Sequence, residues 1–112
     1  MKAIRIVLGL TLLFSGCSPH RVTPERAKEL VTHGARLVDV RSPEEFEAGH
    51  LAGAINIPVG ALESRLSELE PKSEPVVVYC RSGFRSARAS RILASAGFTQ
   101  IADLGGMSRW PP

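Results

Sequence analysis

Cys80, followed at once by Arg81, Ser82, Gly83, Phe84, Arg85 and Ser86, is the part of this 112-residue chain whose residue types could do covalent chemistry. A thiolate is a strong nucleophile, and this thiol closes a β-branched run, "PVVVYC", just before a stretch of helical pattern. Gly83 and the small hydroxyl residues let the backbone curl so that successive N–H groups point at one spot. The following helix N-terminus adds partial positive charge there. Such a cradle stabilises an anion. Arg81 and Arg85 add full charges beside it, which favours the thiolate form of Cys80 and gives an anionic reactant a place to bind. A free cysteine often packs as a small buried hydrophobe, but this context reads as a reactive one.

The elements that must position this loop follow from pattern. "TPERAKELVTHG" predicts a helix with Thr23 as N-cap, Pro24 at its first position, Ala27, Leu30 and Val31 on one face, and Gly34 as the stop. "RLVDVR" reads as a buried strand. "SPEEFEAG" predicts a second helix, opened by a capping box of Ser42 with Glu45 and closed by Gly49. "GAINIPV" reads as a strand or edge segment. After Pro58, the helical spacing of Val59, Leu62, Leu66 and Leu69 predicts a third helix ending before Pro71. The uninterrupted run "PVVVYC" suits a central strand covered on both faces. Ala89, Ile92, Leu93 and Ala96 mark a last helix stopped by Gly97, and "TQIADLGG" supplies a last strand. Alternating strands and helices give an α/β domain with a mostly parallel central sheet. Cys80 then sits where open α/β sheets place ligands, beyond the carboxyl end of a central strand.

The beginning of the chain carries a different signal. "MKAIRIVLGLTLLFSGC" has two early cations, Lys2 and Arg5, an apolar run over 6–14 and small residues before Cys17. The run is far short of the ~20 residues a bilayer span needs, so it reads as an export signal. Phe14-Ser15-Gly16-Cys17 resembles the bacterial lipobox, with Phe14 where leucine is usual. The expected organisation is a signal peptide over residues 1–16, lipidation at Cys17, a short linker over 17–21 and one domain over 22–112. The protein is then exported to the periplasm, and Ser18, in place of the aspartate of an inner-membrane retention signal, points to an outer-membrane lipid anchor. Plain cleavage, releasing a soluble periplasmic protein, is the alternative. Without Lys2 and Arg5 the formal +3 becomes twelve cations against eleven acids. That balance, with no interleaved aromatics, argues against a nucleic-acid partner. Outside the cytoplasm thiols are driven into disulfides, yet a lipidated Cys17 would leave Cys80 without a partner in the chain.

Three blocks in order, "VDVRSPEEFEAGHLAGAINIP", "VVVYCRSGFRS" and "LGGMSRW", resemble a single-domain rhodanese, a thiosulfate sulfurtransferase module, over roughly residues 22–110. The resemblance implies a three-layer α/β domain, with its mostly parallel central sheet flanked by helices and an active-site loop from Cys80 to Arg85. It departs from the family after Trp110, where more helix is usual and this chain stops at Pro112. It further implies that Cys80 takes sulfur from a small anionic donor such as thiosulfate, carries it as a persulfide and yields it to cyanide or a thiol, a protein thiol among them. No metal or organic cofactor is implied. Arg81, Ser82, Gly83, Phe84, Arg85 and Ser86 become the donor-binding residues, with Phe84 at the mouth. Related folds that cleave phosphate esters place five residues between cysteine and arginine. Four lie between Cys80 and Arg85, which favours sulfur over phosphate. A persulfide carrier without turnover is the rival from another class.

Other residues take plainer roles. His50 is structural by the same resemblance, and His20 and His33 supply no metal-ligand pattern. Asp39 and Arg41, at the end of the early strand, are candidate loop support, with Asp39 expected to pair with a loop arginine. Arg88 and Arg91 read as solvated, and Trp110 as a core or cap aromatic.

Overall fold

The computed structural model describes residues 18–112. The signal segment 1–16 and the lipidation candidate Cys17 lie outside the described residues. Helix α1 (Pro24–Thr32) starts as its sequence dictates. The Thr23 hydroxyl accepts the Arg26 N–H, Pro24 fills the first turn where no N–H is needed, and Gly34 turns the chain out with φ 102°. Strand β1 (Arg36–Asp39) follows, and then helix α2 (Pro43–Ala48) with the full Ser42/Glu45 capping box. The edge strand β2 (Ile55–Asn56) is short. The expected third helix is split: α3 (Val59–Leu62) gives way to 3-10 turns over Glu63–Leu69, with a break at Arg65. The tighter spacing eclipses residues three apart, and Leu69 stays fully buried beyond the break. Strand β3 (Val76–Cys80), helix α4 (Phe84–Ser95) and strand β4 (Ile101–Gly106) complete the order, before a last 3-10 turn at Met107–Arg109.

The sheet runs β2-β1-β3-β4 and every pair is parallel. Strand β3 is central and all five of its residues are buried. Its period of two divides them: Val76, Val78 and Cys80 pack with Leu62, Leu69, Ala89 and Leu93 on the α3/α4 side, and Val77 and Tyr79 pack with Ala27, Leu37 and Leu104 on the α1 side. Each fully buried valine or leucine contributes roughly 1.5–3 kcal/mol relative to exposure. Two core layers therefore hold the strand whose last residue is Cys80. Residues 20–22, where the linker reading meets the domain, lie along β4: the Asp103 N–H donates to the His20 carbonyl at 2.8 Å and the Val22 N–H to the Asp103 carbonyl at 3.0 Å. Among the described residues, no helix is long and apolar enough to cross a membrane.

Candidate active site

The turn out of β3 is built on glycine at two places. Gly83 caps α4 with φ 107°, a conformation that L side chains rarely adopt. Gly106 is the register partner of Cys80, and a Cβ there would stand 2.8 Å from the Arg81 carbonyl oxygen. The loop can lie this close to β4 only because that position is bare. With the chain so turned, the Gly83 N–H donates to Cys80 Sγ at 2.9 Å. Ser86 is buried and its hydroxyl donates to the Gly83 carbonyl at 3.2 Å, so it braces the loop from within. Cys80 is fully buried, whereas Arg81 and Ser82 are exposed and Phe84 keeps 74% of its surface in solvent.

Arg85 has a partner that sequence reasoning did not assign. The Glu45 carboxylate accepts from Arg85 Nη1 at 2.7 Å and Nη2 at 3.0 Å, a two-pronged pair, and Arg81 Nη1 stands 3.9 Å away. The same carboxylate closes the capping box by accepting the Ser42 N–H at 3.0 Å. Hydrogen bonds from Arg85 first, and then from the Ser42 backbone, hold the Glu45 carboxyl well below the usual carboxylate range, and Glu45 in turn raises Arg85. The capping box was legible; its second duty was not, because one carboxylate with two oxygens serving a helix cap and a distant loop leaves no mark in local spacing.

Asp39 and Arg41 take a different arrangement from the expected one. Asp39 does not meet a loop arginine. It is fully buried and accepts from Arg41 Nε at 2.9 Å and Nη2 at 2.6 Å, from the Arg41 N–H at 2.9 Å and from the Tyr79 hydroxyl at 2.8 Å. Arg41, two residues on, saturates that carboxylate before Arg85 could reach it. Arg41 also donates to the Gly49 carbonyl and Tyr79 receives the Leu51 N–H, so the network ties β1 and β3 to the turn after α2. Burial, ahead of its contact with Asp39, pushes the Tyr79 hydroxyl far above its ordinary range, and Asp39 raises Arg41. His50 serves this turn too, with Nδ1 2.8 Å from the Phe46 carbonyl and its ring stacked on Phe46 at 3.6 Å.

Between this turn and the loop lies a cavity of about 660 Å³, walled by Arg41, Glu45, Leu51, Arg81, Met107 and Trp110. Trp110 packs on the α1-side core and also stands under Lys28 Nζ, 5.3 Å from the ring centre, so it is core aromatic and cavity wall at once. Cys80 itself is not part of the wall. Arg88 and Arg91 are exposed on α4.

The comparisons agree with this geometry. The rhodanese-like domain family matches residues 23–111. The uncharacterized protein YqhL of Bacillus subtilis is 46% identical over 77 residues, covering 68% of this chain and 60% of that protein's length. Thiosulfate sulfurtransferase 16, chloroplastic, of Arabidopsis thaliana is 38% identical over 104 residues, covering 82% of this chain and 87% of its own. Among solved structures, a rhodanese with anions from E. coli superposes with a TM-score of 0.65 at 36% identity, over 70% of this chain and 95% of its own. With its all-parallel sheet, its cysteine at the end of the central strand and these relatives, the chain belongs to the rhodanese-like domain family.

Proposed function

We propose that this domain is a sulfurtransferase that moves sulfane sulfur from thiosulfate or a related anion to a thiophilic acceptor through a persulfide on Cys80. The Cys80 thiolate attacks the outer sulfur of the donor, the bond to the sulfonate sulfur breaks, and sulfite leaves with the electron pair. The new Cys80 persulfide then loses its terminal sulfur to cyanide or a thiolate, which regenerates the Cys80 thiolate. This is covalent catalysis in two half-reactions. The observation that carries the reading is the Gly83 N–H on Cys80 Sγ at the end of a buried central strand, an amide donor aimed at the sulfur that would act as nucleophile. Arg81, exposed at the wall of the neighbouring cavity, and Arg85 supply the attraction for the anion. The sulfurtransferase named among the relatives and the related rhodanese solved with anions support the same reaction class.

The burial of Cys80 also suits a second reading, in which the domain holds the persulfide for a partner and turns over slowly or not at all. Thiocyanate formation from thiosulfate and cyanide by the purified domain, abolished in Cys80→Ser, is the expected result for the enzyme. Absent turnover with one sulfur retained on Cys80 would give the carrier. On the N-terminal pattern alone the proposal extends to an exported domain acylated at Cys17; palmitate labelling should vanish in Cys17→Ala, and equal labelling of the variant removes that part.

A further inference from the structure

Beside the cysteine loop, Arg21 lies next to the glycine whose N–H contacts the sulfur. Arg21 comes from the segment ahead of α1, which is held along β4 by a single parallel bridge to Asp103. Asp103 is fully buried, and its carboxylate is split: Oδ1 accepts the Gly105 N–H at 2.8 Å and Oδ2 faces Arg21 Nε at 3.6 Å. Held there, the Arg21 guanidinium covers two bare backbone positions. A Cβ on Gly105 would stand 3.1 to 3.3 Å from its Cζ, Nη1 and Nε, and a Cβ on Gly83 would stand 3.2 Å from Nη2. Gly83 is the residue whose N–H reaches Cys80 Sγ.

The sequence of neighbours is therefore Asp103 beside Arg21, Arg21 over the open face of Gly83 where a side chain would stand, and the Gly83 N–H on the sulfur. Gly83 has φ 107° and no side chain of its own; Ser86 and the Ala87 N–H hold its carbonyl, and Arg21 is placed to limit movement on its open face. A guanidinium suits that task, because it is planar and more weakly hydrated than an ammonium, so it tolerates a dry glycine surface while carrying charge. From the geometry we infer that Arg21 is a positioning residue for Cys80: it backs Gly83 so that the loop amide stays on the sulfur as the persulfide forms. The inference rests on the Cys80 sulfur-transfer reading, and it makes the segment before α1 part of the working site.

The test is single-turnover loading of Cys80 by thiosulfate, followed by mass, in wild type, Arg21→Ala, Arg21→Lys and Arg26→Ala, with the thermal midpoint of each. Because small misplacement of a reacting group costs rate more than binding, Arg21→Ala should load about tenfold more slowly at saturating thiosulfate while the half-saturating concentration changes less than about twofold. Added guanidinium ion should restore part of that rate. Arg21→Lys, which keeps a charge beside Asp103 without the plane over both glycines, should fall between wild type and Arg21→Ala, and it decides the matter if Arg21→Ala does not fold. Arg26→Ala, which breaks an exposed pair with Glu29 on α1, should load at the wild-type rate. Wild-type loading in folded Arg21 variants would overturn the inference, as would a loss that only follows the folded fraction and ignores guanidinium. If wild type itself takes up no sulfur, the sulfur-transfer reading fails first and this inference falls with it.

Discussion

Two arginine–carboxylate pairs flank the same turn, and they do opposite things. Asp39 and Arg41 are both buried and both carboxylate oxygens of Asp39 are engaged, by Arg41 and by Tyr79. Glu45 keeps 25% and Arg85 37% of its side chain in solvent, and the pair stands at the loop that follows Cys80. A buried pair is dear to break, because the survivor is left as an uncompensated charge, while a part-exposed pair is screened and contributes little to stability. The first pair therefore builds the scaffold beneath the site. The second is open to solvent, as the proposed donor binding by Arg85 requires.

The largest effect should come from breaking the buried pair. Asp39→Ala strands the Arg41 guanidinium against Tyr79 and should destabilise the fold by about 3–5 kcal/mol, read as a lowered urea midpoint; a loss below about 1 kcal/mol would mean that the pair is not structural. Arg85→Ala should show the reverse profile. Stability should change by less than about 1 kcal/mol, but loss of a charged hydrogen-bond donor of about 1.5–3 kcal/mol should lower the second-order rate of sulfur loading by roughly one to two orders of magnitude. Unaltered loading would remove Arg85 from donor binding and leave it a partner of Glu45 alone.

Glu45→Gln sharpens the contrast with the smallest effect. Glu45 is depressed in the folded state, so its contribution is fully present above the ordinary carboxylate value and is lost as pH falls below it toward the folded value. Wild type should lose thermal stability on acidification below about pH 4.3 more steeply than Glu45→Gln, with the two converging at low pH. Parallel curves would show that the carboxylate is not coupled to folding.

How much of this was written in the sequence depends on range. Thr23, Pro24 and Gly34 punctuate α1, Ser42 and Glu45 open α2, and the run of valines before Cys80 marks a strand buried on both faces; each signal acts within a few residues. The closeness of Gly83 to Cys80 was legible because the two lie three positions apart in one loop. The pairing of Glu45 with Arg85 spans forty residues and the placing of Arg21 beside Gly83 more than sixty, and nothing local in either segment encodes them. Asp39 was placed beside the wrong arginine for a related reason: at the end of a strand, the backbone bend that brings Arg41 onto its own neighbour outcompetes any distant partner. The break at Arg65 likewise escaped the leucine spacing, since periods of 3.0 and 3.6 are alike over so few turns.

The measurement that bears most directly on the central claim is the intact mass of the domain after exposure to thiosulfate, with Cys80→Ser alongside and sulfite release followed in the same sample. A gain of one sulfur confined to Cys80, with one sulfite released and neither signal in the variant, is the predicted result. An unchanged mass with no sulfite, or equal uptake by Cys80→Ser, would contradict sulfur transfer through Cys80.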